Sequence, residues 1–178
     1  MNEWLELMVV AIHLLGAMCM DYKRGKVSNH LIISGIMCTC LIHWNVYGWK
    51  GLGMSLIGMT IPLILFYPLF QMKVLGGGDI KLFVMIACLG NLSFFFRVVL
   101  AAFLAGAIGS FVKMVRRREL FARMKNLYRN VNRIYIMGLT RYENYAQDQQ
   151  ANVIPFAGAI FCGYLVVMIL QILKTGQG

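Results

Sequence analysis

The chain alternates long apolar runs with short polar breaks. The runs are continuous rather than alternating residue by residue, which argues for helices and against strands. The first extends from about Trp4 to Met20 and stops at Asp21. After a polar stretch from Asp21 to Asn29, apolar positions resume from His30 to Tyr47, and Ser28 or Asn29 suits the N-cap. Further runs cover about 52–72, 80–94, 98–115 and 153–173, divided by Gly48, by Gly76 to Gly78, by Asn91 and by one longer polar segment. Pro62 and Pro68 fall inside the third run, where neighbouring helices can re-satisfy the freed carbonyls. A helix needs about 20 apolar residues to cross the hydrocarbon core. The pattern therefore predicts an all-α polytopic membrane protein of six transmembrane helices, forming one membrane-embedded domain over residues 1–178.

Composition strengthens this reading. Sixty per cent of the 178 residues are hydrophobic and 13% charged, against about 25% charged in an average soluble domain. A large soluble domain and a disordered chain are excluded. A disulfide scaffold is excluded too, because all five cysteines lie inside apolar runs. The net charge of +10 has its use in topology, since basic loops stay on the cytoplasmic side. Fourteen of the 17 lysines and arginines fall in the first, third and fifth connections, so both termini are predicted to face away from the cytoplasm. The first run is flanked by Glu3 and Glu6 with no basic residue, unlike a cleaved signal peptide.

The fifth connection, about 116–152, carries Leu120, Met124, Leu127, Val131 and Ile134 at spacings of four and three among basic residues. It reads either as an amphipathic helix on an anionic inner leaflet or as a solvated helix packing its stripe on the bundle. Nothing aromatic is arranged as a stacking platform, so nucleic acid is not expected as a partner.

Among seven acidic residues, two stand apart. Asp21 closes the first run and Asp79 opens the fourth, and the topology places both at the cytoplasmic boundary. Each alone could cap a helix or neutralise Lys23 or Lys81. Together, two acids on one face can share a proton, because like charges in contact do not both ionise easily. One carboxylate can then act as base on water while its protonated partner donates to a scissile carbonyl. This chemistry calls for no metal and no cofactor. Glycines before a helix start allow close approach and positive φ. A nucleotide loop is not indicated, since no strand precedes the glycines and no Lys-Ser or Lys-Thr pair follows.

The segment Gly76-Gly77-Gly78-Asp79-Ile80-Lys81-Leu82 resembles the GxGDxKL motif of type IV prepilin peptidases, within the GxGD membrane aspartyl proteases. The family's first aspartate ends the first span and precedes a basic loop closing in Ile-Pro-Asn. Here Asp21 precedes Val27-Ser28-Asn29, with Ser28 in place of proline. Ile154-Pro155-Phe156-Ala157 is similar to the family's Pro-Phe/Tyr-Gly/Ala-Pro segment, although Ala159 or a neighbour stands where a further proline often occurs. The resemblance implies Asp21 and Asp79 as the catalytic pair. Gly76, Gly78, Asn29 and Pro155 would shape the site, and Lys81 would either hold substrate or anchor the interface. It also implies a prepilin-like precursor as substrate, cleaved after a glycine. No Cys-x-x-Cys occurs, so the N-methylation of larger members is not expected; the compact form resembles the Tad/Flp pilus and archaeal preflagellin peptidases.

Two alternatives share these acids: a membrane subunit or proton-coupled transporter, and a presenilin-like protease of other helices. Cys38 and Cys40 read as small packing residues, His13, His30 and His43 as core or interfacial ones, and Gly106 and Gly109 as points of close helix contact.

Overall fold

The structure is a computed structural model that describes residues 2–72, 75–116 and 156–175. The basic segment after Arg116, and Pro155, lie outside the described residues. Two compact units are distinguished, Met1–Gly106 with Pro155–Gly178, and Ala107–Ile154. Both aspartates belong to the first.

The described residues form five helices: α1 (Asn2–Arg24), α2 (Asn29–Gln71), α3 (Gly77–Ala87), α4 (Leu92–Arg116) and α5 (Phe156–Thr175). Four of them, all but α3, are long and apolar enough to cross a membrane. The all-α expectation holds, but the six-span expectation does not. The run at 80–94 gives only the 11 residues of α3, about 16 Å of helix and half the hydrocarbon thickness. Gly90, at φ 67°, turns the chain, and Asn91 Oδ1 accepts the Phe94 N–H at 3.0 Å to open α4.

The runs at 30–47 and 52–72 join into the 43-residue α2, which is broken inside by Gly48 at φ 59°, ψ −144°. Left-handed φ is open to glycine because no Cβ meets the carbonyl. Contacts with α3 show what the break achieves. Along the first arm Asn29 meets Lys81 and Cys40 meets Cys88, both numbers rising together. Along the second arm Phe66 meets Phe83 while Gly58 lies against Ala87, so the order is reversed. The two arms therefore run antiparallel as a hairpin, and α3 packs on both.

The inward face of α2 is made of small and polar side chains: Gly35, Thr39, His43, Gly51, Ser55, Gly58 and Pro62 are buried. Leu56, Ile57, Leu63 and Ile64 point outward and are exposed. This arrangement inverts a soluble helix and suits a lipid-facing one, where association depends on close backbone approach. A Cβ on Gly58 would meet the Ala87 carbonyl oxygen at 2.3 Å, and one on Gly163 the Ala102 nitrogen at 2.5 Å. Gly106 serves likewise, with Phe156 Cε2 2.8 Å from an added Cβ, whereas Gly109 has open space there and does not fit its expected role.

An aromatic cluster fixes α3. The fully buried Phe83 ring lies 4.8 Å from Phe66, and 6.4 Å from each of Phe95, Phe103 and Phe156. Helices α1 and α5 are antiparallel neighbours: Gly158 lies against Met18, and Tyr164 Oη donates to the Leu7 carbonyl at 2.8 Å.

Candidate active site

One end of this bundle collects the C-terminal turn of α1, both ends of α2, and the N-termini of α3 and α5. Asp21 sits in the last turn of α1, half-buried. Its carbonyl accepts the Gly25 N–H at 2.8 Å, and Gly25 at φ 62° is the left-handed residue that stops the helix. Three residues later Ser28, in extended backbone, is the N-cap of α2 without a side-chain capping bond.

Asp79 lies in the first turn of α3. Its Oδ2 accepts the Gly76 N–H at 3.2 Å, which closes the carboxylate back on the residue preceding the helix. A Cβ on Gly76 would stand 3.2 Å from that oxygen, tighter than such contacts normally come. Gly76 is thus needed for proximity, and its φ of −74° shows that positive φ is not involved. Nor do Gly77 or Gly78 take positive φ. At Gly78 there is open space beside the helix start, where a Cβ would otherwise stand.

Burial pushes the Asp79 carboxyl up to about 6; the Gly76 N–H draws it down, and the negative charge of Asp21 pushes it further up. The two aspartates therefore sense each other across α1 and α3. Lys81 Nζ donates to Asn29 Oδ1 at 2.9 Å. Two further motif residues, 52 positions apart, are thus joined, and the start of α2 is tied to the first turn of α3 beside Asp79. The structure brings together Asp21, Asn29, Gly76, Gly78, Asp79 and Lys81 at one end. Phe156, which opens α5, packs on Phe83 one turn beyond Asp79.

The sequence model of the type IV leader peptidase family matches residues 8–111, more than half of the chain, and includes both aspartates. The chain belongs to this family. No curated protein and no solved structure matches it. As a type IV leader peptidase family member it is a protease, and its long apolar helices make it a multi-pass membrane protein. Among the described residues no three His, Cys, Asp or Glu side chains are grouped to hold a metal ion.

A second polar group in this leader peptidase lies elsewhere. His43 Nε2 is 3.0 Å from Glu6 Oε2, and Ser55 Oγ is 2.8 Å from His43 Nδ1, all three side chains buried. Sequence reasoning placed Glu6 at the mouth of the first span and His43 among packing residues. Glu6 is instead withdrawn into the bundle, and its one visible signal was a carboxylate within an apolar helix. The cysteines follow expectation: Cys40 Sγ packs 3.5 Å from Cys88 Sγ, while Cys38 is exposed.

Proposed function

We propose that this chain is a membrane aspartyl endopeptidase in which Asp21 and Asp79 activate water to cleave a prepilin-like precursor. The observation that carries the reading is Asp79 itself: in a leader peptidase family member, the aspartate after the glycines is held above its ordinary range, with Asp21 contributing to the rise. An acid held this way retains its proton where an ordinary carboxylate would lose it.

In the proposed reaction Asp21, as carboxylate, takes a proton from water while the oxygen attacks the scissile carbonyl. Asp79 donates its proton to the carbonyl oxygen as this becomes tetrahedral. Collapse breaks the C–N bond as the proton held by Asp21 passes to the departing nitrogen, and Asp79 recovers its proton from the hydroxyl. The open flank at Gly78 leaves room for a substrate backbone, which must be extended to be attacked. The Lys81–Asn29 bond makes Lys81 a strap between α2 and α3, acting as a positioning residue.

The substrate would carry a basic leader on the side where Lys23, Arg24 and Lys26 lie, the cytoplasmic side on the charge count. Cleavage would follow a glycine at the membrane boundary, without N-methylation of the product. Asp21→Asn and Asp79→Asn should each abolish cleavage of a pilin-type precursor in proteoliposomes while leaving the protein membrane-embedded. Substantial processing by either variant would defeat the assignment.

A further inference from the structure

At the end of the bundle remote from the aspartates, three side chains with no part in the proposed cleavage form one hydrogen-bonded chain. Glu6 is about 22 Å along α1 from Asp21, at 1.5 Å per residue. His43 Nε2–H donates to Glu6 Oε2, and the Ser55 hydroxyl donates to Nδ1 of the neutral ring, or accepts from the imidazolium. The chain joins α1 to both arms of α2. Glu6 is 5% exposed, His43 4% and Ser55 fully buried. Ionisable groups drawn into a membrane bundle are costly and mark a site rather than a simple brace. Ser55 is inaccessible, so the three do not constitute a nucleophilic triad.

Glu6 and His43 form the floor of a cavity of about 520 Å³, whose walls include Tyr47, Gly90, Asn91 and Phe94. Tyr47 and Asn91 are exposed and mark its mouth. Gly90 holds the turn close over the imidazole: an added Cβ would lie 3.3 Å from His43 Cε1. Among the lining residues Glu6 is the single carboxylate, and there is no lysine or arginine. An anion would meet that carboxylate without a fixed cation to offset it. A purely apolar ligand would strip water from it and return no hydrogen bond. A cation bearing N–H groups can donate to the carboxylate and to the amide oxygen of Asn91, and can lie against the rings of Tyr47 and Phe94.

The mouth also lies at a definite level. All three tryptophans of the chain, Trp4, Trp44 and Trp49, are at this end, exposed, with the last two stacked at 5.4 Å. Exposed tryptophans gather at the depth of lipid headgroups. We propose that this cavity binds a primary ammonium group on the Glu6 carboxylate, held in place by His43 and Ser55. An ethanolamine headgroup and a free alkylamine share that chemistry.

The test uses full-length protein labelled with ¹⁵N-histidine in phosphatidylglycerol nanodiscs, with the His43 ring signal assigned from the His43→Gln spectrum. Ethylammonium and dihexanoyl-phosphatidylethanolamine are titrated separately, with tetramethylammonium, which has no N–H, as the control. The expected result is a saturable shift of the His43 signal by the first two and a much weaker response to the third. Tighter binding of the phospholipid than of ethylammonium identifies a headgroup as the source; equal or weaker binding identifies a free amine. Glu6→Gln keeps a hydrogen-bonding partner for His43 but removes the charge, and should weaken binding by about 10- to 100-fold, the range for a hydrogen bond to a charged group. Should that variant fail to fold, Leu92→Trp, which obstructs the mouth at an exposed lining position, should weaken binding to a similar degree. Absence of a saturable shift in the wild type, or unchanged affinity in the folded variants, overturns the proposal.

Discussion

The proton on Asp79 offers the most direct physical test of the aspartate pair. A carboxyl titrating at the ordinary 3.8 is about 6% protonated at pH 5, whereas one near 6 is about 90% protonated. The carbonyl stretch of a protonated carboxyl, followed by infrared difference spectroscopy from pH 3 to 8, should show a component with its midpoint near 6. Asp79→Asn removes that component. Asp21→Asn takes away a neighbouring negative charge and should move the midpoint down, since like charges raise an acid's titration. Because the folded state holds the proton more tightly than the unfolded chain, this residue's contribution to stability is full below about 3.8. It is lost as pH rises through 6, and amounts to at most about 3 kcal/mol. Precursor cleavage should accordingly fall by about tenfold per pH unit above 6, where the donor empties. A wild-type midpoint near 4, or one that Asp21→Asn leaves in place, would refute both the burial and the coupling.

Three other outcomes follow from the packing. Gly76→Ala places a methyl against the Asp79 carboxylate and should lower kcat by at least about tenfold, the cost of a misplaced catalytic group, with little change in thermal stability measured by tryptophan fluorescence. Lys81→Ala and Asn29→Ala each break one exposed bond worth about 1 kcal/mol; their effects on processing should fail to add in a double-mutant cycle, whereas additive losses would show that the strap does not matter. Phe83→Ala empties the centre of the aromatic cluster and should cost about 3–5 kcal/mol, seen as a fall in the thermal midpoint in detergent.

Much of the aspartate end was legible in the sequence because its chemistry is local. Glycines directly before an acid, and an acid ending an apolar run, are patterns within seven residues. The extent of α3 was not legible: hydropathy continues strongly from Ile80 to Leu89 and again through Phe94, Phe95 and Phe96. Only the left-handed turn at Gly90 and the Asn91 cap divide it, and a hydropathy reading counts those two as a dip. The union of the second and third runs was hidden for the opposite reason, since Gly48 reads as a boundary yet helical pairing resumes directly around it. The Glu6–His43–Ser55 chain could not be read at all from spacing. Its members are 37 and 12 residues apart and meet only because the hairpin folds Ser55 back beside His43.

The brevity of α3 has a mechanical corollary. Its first turn carries Asp79, and the turn leaving its far end presses Gly90 toward the His43 imidazole. A stiff rod about 16 Å long, gripped at its waist by Phe83, behaves as a lever: a tilt that lifts one tip lowers the other. Occupancy of the hollow above His43 and the spacing of the two acids below are thereby geometrically linked, with no unfolding or hinge required between them.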